Sequence, residues 1–278
     1  MANILIVGCG AVGGQLAHNL AQQGHTVTGI KRSPRTNNAD SAVRMVAADI
    51  SQASTLTKIA NDFDRLVFAV STDGRTEASY KSVYQAGLDN VLAKFPNIPW
   101  LFVSSTSVYA QNQGEWVDEQ AVAEPILLNS QLIRAAEQKI TAANPSNIVV
   151  RFSGIYGSER RYLLDKAAQT PAIQQTPAYY TNRIHQDDCV GVLAFLLQQS
   201  LAGAVLEPCY LASDNDPAPL WEVMCWLAER QDCPPPVATP IEAHAVQNKR
   251  CVNRRLKALG YQFIYPSFRD GYGALMAK

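Results

Sequence analysis

The sequence predicts an α/β fold, a doubly wound parallel sheet followed by a smaller C-terminal lobe, and three observations carry that prediction. Short apolar runs rich in β-branched residues alternate with longer runs of helical period. The first apolar run ends in a glycine-rich turn that opens an amphipathic stretch. Beyond residue 152 the regular alternation loosens into proline-punctuated loops around shorter elements. The expected division is therefore residues 1–155 for the sheet domain and 156–278 for the smaller lobe, with some segments of the latter returning to the sheet.

Each element has its own reason. The runs 3–8 (NILIVG), 26–30 (TVTGI), 43–48 (VRMVAA), 65–70 (RLVFAV), 100–105 (WLFVSS) and 147–152 (NIVVRF) are nearly continuous in apolar residues, as strands buried on both faces should be. After the first of them, Val12, Leu16 and Leu20 fall on one helical face. Residues 76–95 carry Tyr80, Tyr84, Leu88, Val91 and Phe95 at steps of three and four, which predicts one amphipathic helix. Residues 127–140 repeat the pattern with Leu128, Leu132, Ala136 and Ile140. In the second half, a turn GIYGSERR, loops at Pro171 and Pro177, a helix at 190–201, a strand at 204–213 and a helix at 220–231 precede the proline cluster DCPPPVATP, read as an extended connector.

Composition narrows the function. Lysine plus arginine balance aspartate plus glutamate at 24 each, so no global field favours nucleic acid or an acidic membrane surface, and a small partner is expected. No apolar run has membrane-spanning length and the N-terminus lacks signal-peptide features, so a cytoplasmic protein is expected. The six cysteines form no CxxC pair and the four histidines no HExxH spacing, so neither disulfides nor a metal are expected.

The turn GCGAVGG places Gly8, Gly10 and Gly13 in the G-x-G-x-x-G spacing of a dinucleotide site in a Rossmann-type sheet: one glycine for the turn, one for approach of a pyrophosphate, one for helix packing. A turn using glycines for shape alone is the competing reading. At the end of the second strand, where a carboxylate would receive the ribose 2′-hydroxyl of NAD, the chain has Lys31 and Arg32. A guanidinium there pairs with a 2′-phosphate, which favours NADP over NAD, unless these residues and Arg35 form only a solvated turn. Asp49 and Ile50 follow the third strand, at the adenine edge and ring face, with a helix N-cap as the other role open to Asp49.

With GCGAVGG, AADI, SSTSVYA, VVRFSGIYG and RIHQDD in that order, the chain resembles an atypical member of the extended short-chain dehydrogenase/reductase family, which includes nucleotide-sugar epimerases and dehydratases. The resemblance implies an NAD(P)-dependent oxidoreductase or epimerase/dehydratase with cofactor contacts from Gly8, Gly10, Ala11, Val12, Gly13, Lys31, Arg32, Asp49, Ile50, Ala69, Val70, Ser104, Ser153 and Ile155. It implies that Ser105 is the catalytic hydroxyl, with a strand-end turn as its alternative role. The family's tyrosine and lysine, aligned on the Ala136–Glu137 pair, fall on Asn129 and Ile133, neither of which supplies acid–base chemistry. Tyr109, Tyr156 and His185 are the titratable groups near matching motifs. Arg134 is expected to point outward, Asp187 and Asp188 to cap and charge the start of a helix, and 249–261 to form a basic helix face or an anion clamp. Two functions follow: an enzyme working through Ser105, or a catalytically silent NADP(H)-binding sensor. The helices at 76–95 and 127–143 match those that pair relatives into homodimers.

Overall fold

A computed structural model describes residues 1–34, 42–240 and 247–277 of the chain; Arg35 lies outside them. In chain order the elements are β1 (Asn3–Val7), α1 (Ala11–Gln22), β2 (Thr26–Lys31), β3 (Val43–Ala47), α2 (Ala53–Leu56), β4 (Arg65–Phe68), α3 (Glu77–Lys81), α4 (Leu88–Lys94), β5 (Trp100–Ser105), β6 (Glu115–Val117), α5 (Leu128–Ala143) and β7 (Ile148–Phe152). Then come β8 (Gly154–Tyr156), α6 (Tyr162–Ala167), β9 (Ala172–Gln174), β10 (Tyr180–Thr181), β11 (Arg183–His185), α7 (Gln186–Leu201), β12 (Cys209–Ala212), β13 (Ala218–Pro219), α8 (Leu220–Arg230), β14 (Val237–Thr239), β15 (Lys249–Cys251), α9 (Arg254–Leu259) and α10 (Phe268–Met276).

Seven strands form one sheet in the order β12, β7, β5, β4, β1, β2, β3. β1 pairs in parallel with β2 on one side and β4 on the other, Ile4 standing opposite Val27 and Arg65. The strand order reverses at β1, so the crevice beyond its carboxyl end is the switch point where such sheets bind ligands. Val149 N–H donates to the Pro208 carbonyl and Ser153 N–H to that of Ala212, so β12 runs alongside β7 in the same direction. Ile4, Leu5, Ile6 and Val7 are all buried, as the near-continuous apolar run requires for a strand covered on both faces.

The chain divides into two compact units. The first comprises Met1–Val108, Glu124–Arg151 and Val190–Tyr210, with Phe68 stacked on Trp100 and Phe102 at ring separations of 6.0 and 5.5 Å in its core. The second comprises Tyr109–Ala123, Phe152–Cys189 and Leu211–Lys278, with a core that includes Leu164, Ile173, Leu227 and Phe268.

Several expected elements are corrected. The helix expected over 76–95 is interrupted by a π-helical turn, Ser82–Gly87. The strand expected at 204–213 begins only at Cys209. Part of the proline-rich connector, Val237–Thr239, pairs with β9. The basic helix expected over 249–261 is helical only from Arg254; Lys249–Cys251 pairs with β6 instead, because Lys249, Arg250 and Cys251 register against Glu115, Trp116 and Val117. Among the described residues no helix is long and apolar enough to cross a membrane.

Candidate active site

The glycine turn is built by three different demands. Gly8 has φ +99°, a left-handed conformation, and a Cβ there would lie 2.7 Å from the backbone of Ala69 and Val70. Gly13 lets α1 settle on the turn, since a Cβ there would collide with the Gly8 carbonyl oxygen. Gly10 is different: it caps α1 in an extended conformation and a Cβ there would meet nothing within 4 Å. Contact with the protein itself therefore does not require a glycine at that position. Gly8 and Cys9 N–H groups both donate to the Ile30 carbonyl, at 3.0 and 3.1 Å, which fixes the turn to the end of β2.

A cavity opens at this switch point, entirely within the first unit. Gly8, Gly10, Lys31, Arg32, Asp49, Ile50, Ala69 and Val70, expected from sequence, all line it. Cys9, Ser71, Asp73, Ser79, Ser82 and Val83 complete much of its wall. Burial pushes the Cys9 thiol up to about 11, which favours its protonated form. The Asp49 carboxylate accepts the N–H and hydroxyl of Ser51 at 3.0 and 2.8 Å, a local turn-capping role. Ile50 is held by the π-helical turn, for a Cβ on Gly87 would sit 2.6 Å from its Cδ1.

Arg32 is not solitary. Its Nη2 donates to Asp73 Oδ1 at 2.7 Å and its Nη1 to Oδ2, so the two form a fork. The guanidinium holds the Asp73 carboxyl below the ordinary carboxylate range. Sequence reasoning missed Asp73, which lies in the turn STDGRT 41 residues from Arg32 with no local signal linking them.

At the end of β5, the two central serines diverge. Ser104 is buried and donates to Glu137 Oε1 at 2.5 Å. Ser105 is half-buried; its Oγ accepts the Ser107 N–H at 3.1 Å, and its own hydroxyl proton has no acceptor among the described residues. Arg151 and Arg134 converge on the same Glu137, so Arg134 is turned onto its own helix rather than outward. On α5, Asn129 donates to the Arg75 carbonyl at 2.9 Å and Ile133 is buried. Ala11, Val12, Gly13, Ser104 and Ser105 do not line the cavity; Ala11, Val12 and Gly13 lie in the first turn of α1.

The second unit accounts for the remaining candidates. Tyr109 is fully buried and its hydroxyl donates to the Asp118 carbonyl at 2.8 Å. Tyr156 packs edge-on to His185 and stacks on Tyr272, and burial raises its phenol far above the ordinary range. His185 Nδ1 accepts the Asp187 N–H at 3.1 Å. Ser153 is buried and Ile155 lies on β8, paired with Ile184. Asp187 and Asp188 lie in the first turn of α7, as expected, and Asp188 also accepts the N–H groups of Ile264 and Tyr265 at 2.8 and 2.9 Å and the Tyr261 hydroxyl at 3.0 Å. Lys249 is buried, donating to the Tyr109 carbonyl at 3.1 Å, rather than lying on a solvated face. Arg250 lies over the rings of Trp116 and Tyr180, 4.5 and 4.7 Å from their centroids.

The sequence model of the NAD dependent epimerase/dehydratase family matches residues 4–200. Among solved structures, the chain is similar to a protein from Methylobacillus flagellatus described as a "putative NAD-dependent epimerase/dehydratase", with 38% identity, TM-score 0.82 and coverage of 99% of this chain and 98% of that one. It is also similar to a conserved protein of unknown function from Silicibacter pomeroyi DSS, at 26% identity, TM-score 0.74 and coverage of 100% and 99%. UDP-glucose 4-epimerase of Thermotoga maritima shares the fold, with TM-score 0.81 over 99% and 97% of the two chains at 14% identity. A comparison with curated proteins finds no match.

Proposed function

The chain belongs to the NAD-dependent epimerase/dehydratase family, and from that premise we propose that it binds NADP(H) at the switch-point cavity and acts as an oxidoreductase or epimerase/dehydratase-type enzyme on a carbonyl or alcohol. The observation that carries this reading is Gly10: the protein leaves space in front of α1 that a Cβ would enter, where a helix N-terminus attracts a pyrophosphate. Lys31 and Arg32 give the adenosine end its preference for a 2′-phosphate, and Ile50 offers an apolar wall to the adenine.

A nicotinamide held there would supply hydride transfer. The protein's part is to seat the dinucleotide against the glycine turn at the start of α1 and to present a hydroxyl. Ser105 keeps its proton available while its oxygen is oriented by the Ser107 N–H, an arrangement suited to donating a hydrogen bond to a substrate oxygen as charge develops there.

A second reading, a silent NADP(H) sensor, is favoured by Asn129 and Ile133. The Asn129 amide is committed to the Arg75 carbonyl and Ile133 is packed away, so neither supplies a proton.

Calorimetric titration of NADPH into the wild type and Gly10→Ala tests the binding site: tight binding lost by at least about tenfold in the variant supports it, and equal binding refutes it. Redox exchange between bound cofactor and a panel of carbonyl compounds separates the two readings. Turnover that falls about 10²-fold or more in Ser105→Ala identifies the enzyme; no exchange with any carbonyl favours the sensor.

A further inference from the structure

We propose that Asp73 sets the cofactor selectivity of the cavity, acting as a carboxylate that competes with a ribose 2′-phosphate for Arg32. The inference rests on the dinucleotide reading above and concerns only the end of the cavity beyond β2. In sheets of this topology, a carboxylate that receives the ribose 2′-hydroxyl stands at the end of the second strand. Here that position holds Lys31 and Arg32, and the acid arrives from the loop after β4 instead.

Three observations support the assignment. First, Arg32 uses both terminal nitrogens on Asp73, Nη2 to Oδ1 at 2.7 Å and Nη1 to Oδ2. This is the two-point fork a phosphate would otherwise occupy. Second, the loop that carries Asp73 is shaped in advance: the Thr72 hydroxyl donates to the Gly74 carbonyl at 2.8 Å, Gly74 has φ +83°, and the Ser79 hydroxyl donates to the Thr76 carbonyl at 2.8 Å. Third, one oxygen of the cavity's other acid is used locally, since Asp49 Oδ1 accepts both the N–H and the hydroxyl of Ser51, whereas both oxygens of Asp73 are directed to Arg32. Asp73 is therefore the carboxylate that shares Arg32 directly with an incoming ribose.

Chemically, the pair reads both cofactors in opposite senses. An unphosphorylated 2′-hydroxyl donates to the Asp73 carboxylate and leaves the fork intact. A 2′-phosphate is drawn by Arg32 and Lys31, and must open the fork and tolerate the displaced carboxylate. Arg32 and Asp73 side chains are 58% and 66% exposed, and such a pair is weak enough for a dianion to open. Asp73 thus tempers the preference for NADPH that the two cations create.

The test is a double-mutant cycle read by calorimetry: Kd for NADPH and NADH with wild type, Asp73→Asn, Arg32→Gln and the double variant, at low and high salt. Asp73→Asn is expected to tighten NADPH about tenfold and weaken NADH about threefold, the shift shrinking at high salt. In the Arg32→Gln background the same change is expected to move NADPH affinity less than about twofold. An unchanged NADPH to NADH ratio in Asp73→Asn, with NADH still bound, overturns the inference and leaves the binding reading standing. An equal gain for NADPH with and without Arg32 also overturns it, because Asp73 would then act as a diffuse charge. A wild type that binds neither cofactor removes both the inference and the reading beneath it.

Discussion

Arg151 grips Glu137 at two points, Nε to Oε1 at 2.8 Å and Nη2 to Oε2 at 2.7 Å, with both side chains buried. Ser104 and Arg134 use the remaining acceptor capacity of the carboxylate, so α5 is tied at once to the ends of β5 and β7. Glu137→Gln leaves a buried guanidinium short of its counter-charge and should cost about 3–5 kcal/mol. Chemical denaturation checks this; a loss below about 1 kcal/mol would mean that the cluster relaxes without the charge.

The glycines of the turn should separate by function. Gly13→Ala forces α1 away from the Gly8 carbonyl and should lower the melting temperature by several degrees, about 2–4 °C per kcal/mol for a chain of this size. Gly10→Ala meets no protein atom and should leave the melting temperature within about 1–2 °C. Differential scanning calorimetry of both variants without cofactor decides it, and equal destabilisation would contradict the distinct roles assigned here.

Asp214 gives the second unit a pH dependence. Burial pushes its carboxyl up to about 8, with the nearby Arg183 opposing the shift, whereas in the unfolded chain it ionises near about 4. Between those values the folded protein holds one more proton than the unfolded chain, so this group makes stability fall as pH rises from about 4 to about 8. Asp214→Asn should flatten the decline, and melting temperatures of both proteins at pH 5, 6, 7 and 8 measure it. Parallel slopes would show that Asp214 does not titrate in that window.

Asp188 holds the segment after α9. Its replacement by alanine strips the Ile264 and Tyr265 N–H groups and the Tyr261 hydroxyl of their acceptor, at a cost of about 3 kcal/mol. Urea denaturation should show a lower midpoint, and Asp188→Asn, which keeps one acceptor oxygen, should fall between wild type and alanine. Equal midpoints for all three proteins would remove the clamp from the account.

How much of this was legible depended on sequence distance. The strand runs, the glycine turn and the position of Arg32 at the end of β2 follow from local pattern, because apolar periodicity and turn chemistry act over a few residues. The partners of the charged groups do not. Asp73 meets Arg32 and Glu137 meets Arg151 through packing of distant segments, which no spacing encodes. Residues 82–87 read as an ordinary helix because the stripe of Tyr80, Tyr84 and Leu88 has the right period, yet the approach of Gly87 to Ile50 accompanies a wider turn. Residues 249–261 read as one basic helix face or an anion clamp from their local run of Lys and Arg, while pairing with the distant β6 draws the first three residues into a strand.

The position of β12 bears on how the chain is made. β7 is buried along its whole length, and its outer neighbour in the sheet is a strand that begins at Cys209. During synthesis the N-terminal strands emerge first, and until residue 212 has left the ribosome β7 presents an apolar edge with open donors and acceptors. A nascent chain is therefore most exposed to misassembly while roughly the stretch between β7 and β12 is being translated. Any fragment that stops short of β12 carries that sticky edge permanently, which predisposes it to inclusion bodies rather than to a truncated but folded protein.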